Sequence, residues 1–125
     1  MKDNVSFICI VGIGGLGKTT LPQDVYNDKN VNDYFELKMW VFVSNDFDVK
    51  IFFVKIIESA TKRKPKNREM DPLQNKLREQ LDQKKYLLIL DDVWNENEER
   101  WYNLKRLLMG GARGSKVVIT TRRPN

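Results

Sequence analysis

Short apolar runs punctuate the chain, and each gives way to glycine or polar residues. Val5-Ser-Phe-Ile-Cys-Ile-Val11 is rich in β-branched and aromatic residues and ends at Gly12, the pattern of a buried strand. Met39-Trp-Val-Phe-Val43 and Tyr86-Leu-Leu-Ile-Leu90 have the same character, and Lys116-Val-Val-Ile-Thr-Thr121 predicts a last strand. Between these runs the period changes. Lys18 to about Asn27 predicts a helix, and Asp28, Asn30 and Asn32 a polar connection after it. Beyond the turn residues Ser44 to Asp48, the positions Val49, Phe52, Phe53, Ile56 and Ile57 keep the 3.6-residue spacing of one helix face. Pro72 predicts the opening of another helix, with Leu73, Leu77 and Leu81 on one stripe. A further helix runs through Trp101, Leu104 and Leu108, with Glu98 and Glu99 near its start, where the helix dipole favours anions. Gly110 to Gly114 form a turn.

Strands that alternate with helices and are apolar on both faces predict an α/β fold. The sheet is mainly parallel, has about four strands and lies between two layers of helices. No internal repeat or low-complexity tract interrupts it.

Composition narrows the class. A chain of 125 residues, 41% hydrophobic and 31% charged, supports one packed core and is neither a disordered tail nor a disulfide scaffold. Its single cysteine, Cys9, has no partner for an internal disulfide; within an apolar run it is expected to be a buried thiol, which suits a reducing compartment. Lys2 precedes the first apolar run, but Asp3 offsets its charge and the run breaks at Gly12, Gly14, Gly15 and Gly17, so no signal peptide is predicted. No apolar run approaches the roughly 20 residues of a membrane helix. The expectation is a soluble protein of the cytoplasm, or of cytoplasm and nucleus. The net charge of +5 would suit an anionic partner, and its sharpest cluster is Lys62, Arg63, Lys64, Lys66 and Arg68 around Pro65. No aromatic residue interleaves that cluster as a base-stacking platform requires, so a solvated loop is the better reading and nucleic acid is not the expected partner.

The candidate chemistry gathers at strand ends. Gly12-Ile-Gly-Gly-Leu-Gly-Lys-Thr19 fits the pattern G-x-x-x-x-G-K-[ST] and sits between an apolar strand and a helix, the context in which that pattern works. Its glycines let backbone N–H groups converge on phosphate oxygens at a helix N-terminus. Phosphate binding is therefore assigned to Gly12, Gly14, Gly15, Gly17, Lys18, Thr19 and Thr20. Lys18 supplies charge for the β- and γ-phosphates, and the Thr19 hydroxyl is placed to ligate Mg²⁺. Leu87-Leu-Ile-Leu-Asp-Asp92 offers the second half of such a site, since ligands of a parallel sheet bind beyond the carboxyl ends of its strands. Asp91 is assigned to Mg²⁺, through its water shell, and Asp92 to orienting or deprotonating the attacking water. Taken alone, two acids after a strand more often cap a helix or form a turn. Arg122, after Thr120 and Thr121 at the same predicted edge, is in reach of a γ-phosphate, with a plain surface arginine as the alternative.

In this order these residues resemble the NB-ARC domain of plant disease-resistance proteins of the nucleotide-binding, leucine-rich-repeat kind, a branch of the STAND class of P-loop ATPases. The resemblance covers essentially the whole chain, 1–125. Val11 to Leu21 is similar to the family's P-loop, and Trp40-Val-Phe-Val-Ser44 with Phe47-Asp48 to the motif that follows. Lys85 to Trp94 is similar to kinase-2, and Gly114 to Arg122 to the segment bearing the sensor arginine. Trp94 resembles the coiled-coil subclass.

The family implies a switch in which ADP holds a receptor off, exchange for ATP turns it on and slow hydrolysis resets it. Lys18, Asp92 and Arg122 would carry the chemistry, Thr19 and Asp91 would serve the metal, and Arg122 would sense phosphate. Implied partners are the nucleotide, coiled-coil and leucine-rich-repeat domains of the same protein, and further copies on activation. It also implies that the sensor strand inserts between the P-loop and Walker B strands. A fifth strand flanks the P-loop strand in that class, so Val5 to Val11 is expected to form an aggregation-prone edge here.

Departures qualify the likeness. Pro22 stands where the family commonly has alanine; inside a helix its ring meets the carbonyl of Lys18 and costs about 3 kcal/mol. The chain ends at Asn125, before the GLPLA motif, winged-helix region and repeats, and is expected to be a fragment. Two other readings are a small P-loop kinase, for which no acceptor site or arginine-bearing lid is assignable, and a fragment with intact motifs but no activity.

Overall fold

The computed structural model describes residues 4–11, 24, 26–42, 49–91 and 98–121. Its strands are β1 (Val5–Val11), β2 (Leu37–Phe42), β3 (Tyr86–Asp91) and β4 (Ser115–Thr121). Its helices are α1 (Lys29–Tyr34), α2 (Val49–Thr61), α3 (Met70–Leu81) and α4 (Glu98–Leu108). All strand pairs are parallel, in the order β1-β4-β3-β2, so the last strand lies between the first and the third, as the resemblance implied.

The apolar periodicities set this arrangement. Every residue of β3 is buried, because it is central and its side chains alternate between two cores. Leu88 and Leu90 join Met39, Val41 and Val117 on one face, where Phe52, Phe53, Ile56 and Ile57 of α2, Leu73, Leu77 and Leu81 of α3, and Leu104 and Leu108 of α4 cover them. Leu87, Ile89 and Val118 point to the other face and meet Tyr26, Val31, Phe35 and Trp40. The sheet is thus sandwiched as predicted, and the stripe at 73, 77 and 81 is wholly buried. Pro72 lies in the first turn of α3, where a missing N–H costs nothing.

Two expectations are corrected. The polar stretch after Asn27 is not a plain connection: Asp28 accepts from the N–H groups of Asn30 (2.8 Å) and Val31 (3.4 Å), and this cap starts helix α1. Cys9 is exposed, not buried. β1 is an edge strand of the described sheet, with β4 on one side, so an apolar sequence does not guarantee burial there. Ile8 on the same strand is 41% exposed.

The opposite edge is better protected. The N–H of Trp40 in β2 donates to Ser59 Oγ at 3.1 Å, and Lys55 Nζ donates to the carbonyl of Phe42 at 3.2 Å, so side chains of α2 occupy edge groups that would otherwise invite another strand.

Candidate functional site

The parallel registers bring the carboxyl ends of all the strands to one edge. Phe42 pairs with Asp91, Leu90 with Ile119, Ile10 with Thr120 and Val11 with Thr121. Gly12, Asp92 and Arg122 each follow directly in the chain from one of these strand ends. The candidate phosphate, water and sensor segments therefore all start from the same rim of the sheet.

Gly12, Gly14, Gly15, Gly17, Lys18, Thr19, Thr20, Pro22, Asp92, Trp94 and Arg122 lie outside the described residues. Of the acidic and basic candidates, Asp91 is described. It is 3% exposed, and it points to the face of Ile89 because strand alternation puts residues 87, 89 and 91 on one side. Thr120, fully buried on β4, shares that face with Val118. Its hydroxyl donates to Asp91 Oδ1 at 2.6 Å.

Among the described residues Asp91 makes no ion pair. Among the described residues no three carboxylate, cysteine or histidine side chains gather as a metal cage.

Residues that follow the glycine-rich segment in the chain are held by side chains of β2. Tyr26 and Asn27 are helical, and Lys38 Nζ donates to the carbonyl of Tyr26 at 2.5 Å while lying 4.2 Å from the centre of its ring. The Tyr26 ring meets Trp40 edge-on at 5.3 Å. Burial pushes the Lys38 ammonium below its ordinary pKa, and the Lys62 charge adds to the effect. Burial raises the Tyr26 phenol.

The basic loop is elsewhere. Lys62, Arg63, Lys64, Lys66 and Arg68 are all exposed. Ser59 reaches Trp40 and Lys62 acts on Lys38, toward the start of β2, whereas Asp91 pairs with the strand's last residue.

No local pattern in the sequence singles out Thr120. Its hydroxyl was visible in the sequence, but that β4 runs beside β3 with Thr120 against Asp91 is decided by strand order.

A parallel sheet with helices on both faces, the fourth strand inserted beside the first, and a buried acid at the edge from which a G-x-x-x-x-G-K-T sequence departs define a P-loop NTPase domain. The chain belongs to the NB-ARC domain family, whose model matches residues 1–125. It is 51% identical over 122 residues to disease resistance protein RGA2 of Solanum bulbocastanum, covering 96% of this chain and 12% of that protein. It is 37% identical over 127 aligned positions to disease resistance protein RPP13 of Arabidopsis thaliana, covering 97% of this chain and 15% of that protein. Disease resistance RPP13-like protein 4 of Arabidopsis thaliana is 36% identical over 115 residues, 92% of this chain and 13% of that protein. The chain therefore spans only 12% to 15% of the length of these relatives. Among the described residues no helix is long and apolar enough to cross a membrane.

Proposed function

We propose that this chain is the ATP- and ADP-binding part of a switch in a plant disease-resistance receptor. The observation that carries the reading is the buried Asp91 carboxylate at the rim from which the glycine-rich segment departs, next to β4 and within the same sheet.

On this reading, backbone N–H groups of Gly12 to Thr20 cradle the phosphates and Lys18 neutralises the β- and γ-phosphate oxygens. Thr19 and Asp91 hold Mg²⁺, which supplies charge neutralisation across those oxygens when bound. Asp92 orients the attacking water and accepts its proton, and Arg122 pairs with the γ-phosphate and so distinguishes ATP from ADP. Turnover is slow, because the biological signal is which nucleotide is held. In the parent receptor the nucleotide state governs contacts with coiled-coil and repeat domains and with further copies, in the cytoplasm or between cytoplasm and nucleus.

Calorimetric titration with ADP and with ATP, each with Mg²⁺, tests this beside Lys18→Ala. Binding that the substitution abolishes is the expected result. A folded chain that binds neither nucleotide, or binds both equally well without Lys18, would overturn the reading.

A further inference from the structure

We infer that Thr120 is a positioning residue for the metal-bound nucleotide: its hydroxyl fixes the Asp91 carboxylate so that one oxygen is held and the other is presented to the ion. This deepens the proposed function and rests on its assignment of Asp91 to Mg²⁺.

The last torsion of an aspartate side chain is broad, so a lone Asp91 would spread its two oxygens over many orientations. Here Oδ1 is engaged at 2.6 Å by Thr120 Oγ1. Oδ2 makes no hydrogen bond among the described residues. Thr120 is well suited to the task. It is fully buried, β-branched and therefore stiff about χ1. It lies on a central strand whose backbone is held on one side by Ile10 of β1 and on the other by β3. The donor thus comes from a rigid part of the sheet, and the hydrogen bond removes rotational freedom before any ligand arrives. A hydroxyl that only satisfied a buried acid would stabilise the fold equally well with or without metal. A positioning hydroxyl changes what the metal contributes to nucleotide affinity.

That difference is measurable on the 125-residue chain. A non-hydrolysable ATP analogue is titrated calorimetrically in MgCl₂ and in EDTA, and the ratio of the two affinities reads the contribution of the ion. Urea unfolding of each variant is followed in parallel. In wild type the ratio is expected to be large, and Asp91→Asn should collapse it. Thr120→Val, equal in shape but without the donor, should lower the ratio about tenfold or more, the usual effect of removing a partner that orients a metal ligand, and leave the EDTA affinity unchanged. Thr120→Ser, which keeps the donor, should restore the ratio. If Thr120→Val does not fold, Thr120→Ala is read the same way. A wild-type ratio in the hydroxyl-free variant, with Asp91→Asn collapsed, overturns the role of Thr120 alone. A wild-type ratio in Asp91→Asn overturns the metal assignment and the inference with it.

Discussion

Ser115→Ala should destabilise the domain by about 2 kcal/mol although it removes a single atom. Ser115 is fully buried at the start of β4, and its Oγ accepts the backbone N–H of Tyr86, the first residue of β3, at 3.0 Å. The same hydroxyl donates to the carbonyl of Ala112 at 2.8 Å and lies 3.2 Å from that of Lys84. Those two carbonyls keep other partners in the variant, since Ala112 O also accepts from Ser115 N at 3.1 Å and Lys84 O from Ala112 N at 2.8 Å. The cost therefore concentrates on the Tyr86 N–H, which loses its acceptor inside the protein. A buried donor left unpaired costs about 1–3 kcal/mol. For a domain of this size that lowers the melting temperature by about 6–12 °C. Urea unfolding should show a lower midpoint with an unchanged slope, because the surface exposed on unfolding is the same. Ser6→Ala, at an exposed position of β1, is the control and should stay within about 0.5 kcal/mol of wild type. A loss below about 0.5 kcal/mol for Ser115→Ala would mean that the Tyr86 N–H finds another partner and that its pairing with Ser115 Oγ carries no such cost.

The Tyr86 phenol is buried against α4, where it donates to the carbonyl of Leu108, and burial raises its pKa above that of a free tyrosine. The unfolded chain releases this proton first, so stability should fall as pH rises above about 10, by up to about 1.4 kcal/mol per pH unit for the one group. Tyr86→Phe should be weaker at neutral pH yet lose less between neutral and alkaline pH; parallel unfolding curves for both proteins across that range would contradict this. Cys9, the sole cysteine and exposed, should react stoichiometrically with a thiol reagent in the native state, whereas protection up to the urea transition would show that the edge is covered. Ile8→Lys places a charge on the exposed edge strand and should reduce association at high concentration in light scattering; equally sharp monomers before and after would show that the edge does not self-associate. Pro22→Ala, which returns the N–H that a helix following Lys18 would use, should tighten nucleotide binding, and equal affinities in calorimetry would contradict this.

Much of the fold was legible because local pattern and burial agree where elements are central. Tyr86 to Leu90 reads as buried on both faces and is, with the buried strand running one residue further to Asp91, and the stripe of Leu73, Leu77 and Leu81 faces the core without exception. Helix α1 was missed because its sequence, Lys29 to Tyr34, lacks an apolar stripe, and the Asp28 cap that starts it resembles ordinary turn chemistry. The exposure of Cys9 was missed because an edge strand and a central one can share a composition. The glycine, lysine and threonine spacing of the candidate phosphate segment is chemistry written in consecutive residues, so it points to a phosphate-bearing ligand and to the strand ends near which to look for it. The family resemblance, and no local pattern, implies that the strand ending in Thr121 lies between those ending in Val11 and Asp91; the tertiary structure has that order and adds what the resemblance did not give, the meeting of Thr120 and Asp91. The two residues are far apart in the chain, and no local rule links them. Their contact depends on which strands hydrogen-bond side by side, and that is settled by the packing of whole helices on both faces of the sheet.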